Sequence, residues 1–227
     1  MTTVGVCLSG CGVYDGSEIY ESVLTLLALD HAGVDVLCMA PNVPQMHVID
    51  HRTGEPTGET RNVLTEAARI CRGRITDIAD VSPEEIDALI FPGGFCAAKN
   101  LSDFAVAGER AEANPQVQRL VQGMLAARKP IGAMCIAPAM LAAALKGSGV
   151  EASVTVGTDA ATAKSIEAMG AAHVSCPVEE FRVDREHLIV TTPAYMLAGR
   201  ITEAAAGIDG LVSEVLRLVP SEAGAAR

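Results

Sequence analysis

The sequence predicts an α/β fold, a mostly parallel sheet with helices on both faces. Three observations carry this reading. Short apolar runs alternate with segments of helical periodicity, the apolar runs open into loops of small residues, and the chain is long enough to build one large core. It has 227 residues, of which 49% are hydrophobic and 20% charged. No Gly/Ser/Pro-rich stretch, charge block or internal repeat divides it. The expected organisation is therefore one domain over residues 1–219 and a flexible Ala-rich tail over 220–227.

The elements follow in order. Thr2 to Leu8 is an apolar run ending in Ser9-Gly10-Cys11-Gly12, as a buried strand opening into a loop. Ser17 or Asp15 is placed to cap a helix in which Ile19, Val23, Leu26 and Leu27 share a face, with Ala32-Gly33 as its stop. Val34 to Met39 reads as a second buried strand. Pro41 to Gly58 is rich in turn residues around Val48-Ile49, and Asn62 to Ile70 is helical. Ile86 to Phe91 is a strand broken by Pro92-Gly93-Gly94. Asn114-Pro115 forms a cap and first-position proline pair, followed by Val117, Leu120, Val121, Met124 and Leu125 at helical spacing. Ile131 to Met134 is a strand that turns at Cys135 into a helix over Ala137 to Leu145. Strand at Ser153 to Val156, helix at Asp159 to Met169, strand at Leu188 to Thr192 and a last helix around Ile208, Leu211, Val212 and Val215 complete the alternation.

Composition narrows the function classes. Lys and Arg number 17 against 28 Asp and Glu, a net charge of −11 that repels phosphate backbones and anionic membrane surfaces. Aromatics are 3% with no Trp, too few for a base-stacking platform. No apolar run reaches the roughly 18 residues of a spanning helix. The start Met1-Thr2-Thr3-Val4 lacks the basic segment of a signal peptide. Seven scattered cysteines read as reduced thiols, so the expected compartment is the cytoplasm. Neither nucleic acid nor membrane is an expected partner.

Four local patterns bear on chemistry. Gly10-Cys-Gly-Val-Tyr-Asp-Gly16 approaches a dinucleotide fingerprint, but its third Gly is one residue late and the second strand ends Cys38-Met39-Ala40 without an acid for the ribose. A tight loop of close backbone approach fits better, so no cofactor is expected. His47 and His51 are four apart in extended sequence, which separates them by roughly 13 Å. Cys7 and Cys11 have no second pair at zinc spacing, so no metal is expected. Pro130-Ile-Gly-Ala-Met-Cys135-Ile-Ala-Pro138 has the mechanics of a nucleophile elbow, small residues bringing a strand to a Cys and directly into a helix N-terminus that favours thiolate. A buried structural cysteine at an ordinary strand–helix junction is the alternative. Beside it on the carboxyl edge of the sheet, the loop Phe91-Pro-Gly93-Gly94 offers backbone N–H groups to an oxyanion. Glu18, at the start of the first helix, is either an acid held neutral beside the thiol or an ordinary first-turn Glu.

These segments resemble a known superfamily. Asp15-Gly-Ser-Glu18, Phe91-Pro-Gly-Gly94 with Ala97-Ala-Lys-Asn-Leu101, and Gly132-Ala-Met-Cys-Ile-Ala-Pro138 are similar to the ThiJ/PfpI, class I glutamine amidotransferase-like superfamily. Ser9 to Glu18, Thr60-Arg-Asn-Val-Leu64, Cys135-Ile-Ala-Pro-Ala-Met-Leu141 and Thr191-Thr-Pro-Ala-Tyr195 look like its ElbB branch, the isoprenoid biosynthesis or "enhancing lycopene biosynthesis" proteins. The likeness runs from Val4 to about Leu218.

The resemblance implies a flavodoxin-like three-layer sandwich, often a homodimer, with a weak glyoxalase activity that needs neither glutathione nor metal. It implies Cys135 as nucleophile, Glu18 as its partner acid, and Gly94 and Ile136 as oxyanion-side donors, with Gly93 in the same loop. The His that many relatives carry after the next strand is replaced here by Val156-Gly157-Thr158-Asp159. Peptidase and amidotransferase chemistry, which must protonate a leaving amine, is thereby disfavoured. The expected reaction converts a small dicarbonyl, glyoxal and less well methylglyoxal, to the 2-hydroxy acid through a Cys135 hemithioacetal. Glu18 moves the proton, with His173 and His51 as fallbacks. The alternative functions are a cysteine-based redox or aldehyde-stress sensor and a non-catalytic partner in isoprenoid metabolism. Cys96, beside Gly94, is a further candidate for the pocket wall, and Cys11 for a loop thiol.

Overall fold

The computed structural model describes residues 1–220, so the expected tail lies, beyond Pro220, outside the described residues. The chain begins with β1 (Thr3–Cys7), α1 (Ile19–His31) and β2 (Asp35–Ala40). A hairpin of β3 (Ile49–Asp50) and β4 (Glu55–Pro56) leads to α2 (Val63–Ala67), β5 (Thr76–Asp77) and β6 (Ala88–Phe91). Then come α3 (Phe104–Ala107), α4 (Pro115–Ala126), β7 (Ile131–Met134) and α5 (Ala137–Leu145). β8 (Ser153–Val154), α6 (Ala160–Ala168), β9 (Ala172–His173), β10 (Arg182–Asp184), β11 (Ile189–Thr192) and α7 (Ile201–Leu218) complete it.

The main sheet has the order β10-β11-β7-β6-β1-β2-β5. All its pairings are parallel except the edge pair β10–β11. Val6, Ile90, Gly132 and Val190 stand in one row across the four central strands, so those strands end at nearly the same level. Side chains alternate between two cores, as strand geometry requires. Val4, Val6, Ala88, Ile90 and Val190 pack with Leu29 of α1 and Ile208, Leu211 and Val215 of α7. Cys7, Leu89, Phe91, Ile131 and Ala133 pack with Val117, Leu120 and Met124 of α4 and with the buried α5. This is the three-layer, flavodoxin-like arrangement with helices on both faces. The Asn114 cap read from sequence is present, accepting from the Gln116 N–H at 2.9 Å, and Asp159 caps α6, accepting from the Thr162 N–H at 2.8 Å. α1 is capped by Glu18, which corrects the expected cap at Ser17 or Asp15.

One helix is turned against its apolar pattern. Ile19, Val23 and Leu27 of α1 are exposed, and the buried positions are Glu21, Ser22, Thr25 and Leu29. The polar residues are accommodated because their hydroxyls bond back along the helix, Ser22 Oγ to the Glu18 carbonyl and Thr25 Oγ1 to the Glu21 carbonyl, both at 2.7 Å. The expected core face is corrected at Ile19, Val23 and Leu27, while Leu26 packs partly buried against the core as expected. The start of α1 faces inward with the residues of a site.

Gly207 lets α7 lie directly on the end of β11. A Cβ at this position would stand 2.5 Å from Thr192 Oγ1 and 2.8 Å from the Val178 carbonyl oxygen. Helix propensity alone makes Gly→Ala stabilising by about 1 kcal/mol. Here overpacking opposes it, at about 1–3 kcal/mol. Urea denaturation of Gly207→Ala should therefore show a lower midpoint than wild type, whereas a raised midpoint would mean that α7 does not press on β11.

Candidate active site

Four strand ends supply the site. β7 stops at Met134, and Cys135 follows with φ +58°, a left-handed conformation that strains a residue bearing a Cβ. Its N–H donates to the Thr192 carbonyl at 3.1 Å, which ties the elbow to the end of β11. Pro138 lies in the first turn of α5, and every residue of that helix is buried. The Cys135 thiol is thus fixed in a tight turn at a helix N-terminus, with 8% of the residue exposed. The backbone N–H groups of Gly94 and Ile136 point to its sulfur.

The carboxyl beside this thiol belongs to Glu21, which is fully buried and lies across Gly93 from Cys135. One of its oxygens accepts from the Gly93 N–H at 2.8 Å and the other from the Tyr195 N–H at 3.1 Å. Gly93 cannot carry a side chain here: a Cβ would lie 2.5 Å from Cys135 Cβ and 2.7 Å from Glu21 Oε2. Gly94, at φ +94°, passes so close to the Glu18 N–H and the Gly16 carbonyl that a Cβ would collide with both. Glu18 itself is the N-cap of α1, its carboxylate accepting from the Glu21 N–H at 2.6 Å and its own N–H donating to the Gly93 carbonyl at 3.0 Å.

With that geometry in place, the sequence comparisons are decisive. The model of the DJ-1/PfpI family matches residues 11–174. The chain belongs to the DJ-1/PfpI family. It is 49% identical over 225 residues to the human "Glutamine amidotransferase-like class 1 domain-containing protein 3, mitochondrial", a match covering 95% of this chain and 82% of that one. The rat "ES1 protein homolog, mitochondrial" is 48% identical over 225 residues, covering 95% and 83%. The crystal structure of an isoprenoid biosynthesis protein with an amidotransferase-like domain from Ehrlichia chaffeensis superposes with a TM-score of 0.90 at 38% identity, covering 97% of this chain and all of the other.

Within this DJ-1/PfpI chain the site differs from the sequence expectation at three points. The acid set beside the thiol is Glu21 and not Glu18. One helical turn separates them, and only the later residue reaches under the elbow. Gly93 does not offer its N–H to an oxyanion, because that N–H is committed to Glu21. The thiol is not held low: burial and the Glu21 carboxylate push it well above the ordinary value, and the Gly94 and Ile136 N–H groups oppose them only in part. Burial also raises Glu21, to about 7, against the two N–H bonds that favour its carboxylate. Glu18 is raised too, by burial, with the N–H groups at the start of α1 acting against it. Two buried acids in contact titrate together. Cys135 therefore keeps its proton as a thiol near neutral pH, while Glu21 passes from acid to carboxylate as pH rises through about 7.

The remaining sequence candidates have other duties. His51 Nε2 accepts from the Val13 and Tyr14 N–H groups at 3.2 and 3.3 Å, and its ring stacks on Tyr14 at 5.0 Å. His173 Nε2 accepts from the Val156 N–H at 3.2 Å, and burial lowers its pKa. The Gly10–Gly16 loop is a close backbone crossing, in which a Cβ on Gly16 would meet the Cys11 backbone. Cys96 is fully buried and pushed up to about 12, while Cys11 is half-buried. A cleft of about 160 Å³ lined by Tyr14, Ile49, Gly54, Phe95 and Lys99 is a separate feature, with neither Cys135 nor Glu21 among its walls. The one sequence signal for Glu21 is its place three residues beyond Glu18, on the helix face that also holds Ser22 and Thr25.

Glu21 makes stability depend on pH. Its folded pKa of about 7 lies above its unfolded value near 4.5, so the native state binds the extra proton between the two. The stability this proton supplies is complete below pH 4.5 and is lost as pH rises through 7, each tenfold difference in proton affinity being worth about 1.4 kcal/mol. Glu21→Gln loses a hydrogen bond at every pH, since an amide cannot accept two N–H groups on opposite ends. Its unfolding free energy should nevertheless fall less between pH 4.5 and 7.5 than that of wild type. Parallel pH profiles in urea titrations would show that Glu21 is not the titrating group.

Proposed function

We propose that this DJ-1/PfpI chain is a cofactor-independent glyoxalase of the ElbB type, acting on glyoxal and less well on methylglyoxal. The observation that carries the reading is the fully buried Glu21 carboxyl set beside Cys135 at the elbow, with the Gly94 and Ile136 N–H groups favouring the thiolate. Transfer of the thiol proton to the Glu21 carboxylate frees the thiolate, which adds to one aldehyde carbon. The carbonyl π pair moves to oxygen, beside the Gly94 and Ile136 N–H groups, and takes that proton back from Glu21, giving a hemithioacetal and restoring the carboxylate. Glu21 carboxylate then removes the C–H proton of that carbon and returns a proton to the neighbouring carbonyl carbon. The product of this isomerisation is a hydroxyacyl thioester. Water cleaves the C–S bond, releasing glycolate and regenerating the thiol. No amine leaves, so the site functions without an acid at Thr158.

The small exposure of Cys135 supports the two-carbon substrate over larger aldehydes. The ElbB assignment rests on sequence motifs and on the kinship with the Ehrlichia chaffeensis isoprenoid biosynthesis protein. No helix among the described residues is long and apolar enough to cross a membrane. The human and rat relatives are named mitochondrial, and for this chain we read a reducing, cytoplasmic setting from its unpaired thiols. The exposed stripe of Ile19, Tyr20, Val23 and Leu27 supports a homodimer, since such patches mark contact surfaces.

Product analysis with glyoxal tests the reading. Wild type should make many equivalents of glycolate with or without a chelator, and Cys135→Ser none. Glu21→Gln should slow turnover on the order of 100-fold or more, as loss of a general acid–base does. Glu18→Gln, which keeps an oxygen on the Glu21 N–H, should stay within about tenfold of wild type. Glycolate formation that persists in Cys135→Ser would refute the mechanism, and formation that stops near one equivalent would favour the sensor.

A further inference from the structure

Outside the site, the cleft at Tyr14 gathers exposed aromatic rings around a cation. Tyr14 comes from the loop between β1 and α1, Ile49 and Gly54 from the β3–β4 hairpin, and Phe95 and Lys99 from the turn after β6. The chain has three Tyr, four Phe and no Trp, and two of these few rings stand here with Tyr14 40% and Phe95 51% exposed. Their centroids lie 5.9 Å apart with the planes tilted by 50°, and Tyr14 is also stacked on His51. The Lys99 ammonium sits over the Phe95 ring, 5.5 Å from its centre, where the negative face of the ring attracts it.

Hydrogen bonds hold these walls in place. The Tyr14 N–H donates to His51 Nε2 at 3.3 Å, and the Tyr14 carbonyl accepts from Lys99 Nζ at 3.0 Å. His51 Nδ1 is then left to donate to the Ile49 carbonyl at 3.1 Å, which ties the hairpin to the rings. The Phe95 N–H donates to the Val13 carbonyl at 2.8 Å. Walls ordered in advance lose little freedom when a ligand arrives. Lysine carries three donors, and the Tyr14 carbonyl takes one of them. Although the chain has 28 Asp and Glu, no carboxylate pairs with this ammonium among the described residues.

We propose that this cleft is a second ligand site, which binds a small aromatic carboxylate. The ligand ring lies against Tyr14 and Phe95, with the hairpin at Ile49 and Gly54 opposite, and the carboxylate accepts from the remaining Lys99 N–H groups. The cleft holds about 160 Å³, whereas pockets for drug-sized ligands run to roughly 300–1,000 Å³. It therefore fits one ring with a short acidic group and not a nucleotide. The proposal is independent of the glyoxalase reaction, since neither Cys135 nor Glu21 lines the cleft.

The test is titration of the full chain with benzoate, benzyl alcohol and cyclohexanecarboxylate, followed by NMR of the Tyr and Phe ring protons. Benzoate should shift the Tyr14 and Phe95 signals and saturate, and the other two probes should each bind more weakly. Lys99→Met keeps the aliphatic stem and should weaken benzoate at least about tenfold, as loss of a charged hydrogen bond does, while leaving benzyl alcohol unchanged. Phe95→Leu should weaken benzoate about fivefold. Cys135→Ser should bind it as wild type does. The proposal is overturned if benzoate leaves the Tyr14 and Phe95 signals in place, if all three probes bind equally, or if Cys135→Ser abolishes binding. It is overturned equally if those signals move with protein concentration alone, which would make the cleft a contact between copies of the chain.

Discussion

The Glu21 carboxyl is fully buried, with one backbone N–H on each oxygen and a thiol against it. Removing a carboxylate from water costs several kcal/mol. Two hydrogen bonds to a charged group return about 1.5–3 kcal/mol each. The balance is close, and it is left slightly against the charge, which is the physical content of a carboxyl raised to about 7. A fully stabilised carboxylate would never release its hold as an acid, and an unsupported one would stay neutral. The N–H groups come from loops after β6 and β11, so this balance depends on strand register across the sheet.

Rigidity at the edge follows from the same need. Cys135 at φ +58° and Ala194 at φ +43° each hold a conformation that costs on the order of 1–3 kcal/mol. A side chain at Gly93 would push Glu21 away from Cys135, and one at Gly94 would collide with the backbone of Gly16 to Glu18 that leads into α1. Strain of this kind persists only when the surroundings over-determine it. Here α5, buried along its whole length, and α7, seated on β11 through Gly207, supply that constraint.

Much of this arrangement is legible in the amino-acid order alone. The elbow strand Ile131–Met134 and the helix Ala137–Leu145 have the bounds that apolar length and small-residue punctuation imply. The cap at Asn114 is equally readable, while α1 starts from Glu18 although Ser17 and Asp15 are the favoured capping types by composition. β5, β9 and β10 are not, since pairs or triplets such as Thr76–Asp77 and Arg182–Asp184 have no apolar signature and are strands only through their neighbours. The facing of α1 departs from its pattern because periodicity reports where apolar residues cluster and is silent on which cluster the fold covers. Glu21 escapes notice for the same reason: a Glu on a helix face that otherwise carries Ser and Thr looks solvated. Its burial becomes visible only when the loops bearing Gly93 and Tyr195 close over it.

The order in which the chain leaves the ribosome gives the β11 connections a temporal meaning. Glu21, Gly93 and Cys135 are all synthesised before the residues that complete their environment. The Cys135 N–H waits for the Thr192 carbonyl, and the second oxygen of Glu21 waits for the Tyr195 N–H. Until then β7 is an open edge and the elbow lacks the bond that holds its strained turn. Nascent chains fold domain by domain once their long-range partners emerge. The thiol and its acid are therefore matched only once Thr192 and Tyr195 have emerged, and a chain interrupted before them carries both groups without the bonds that fix them.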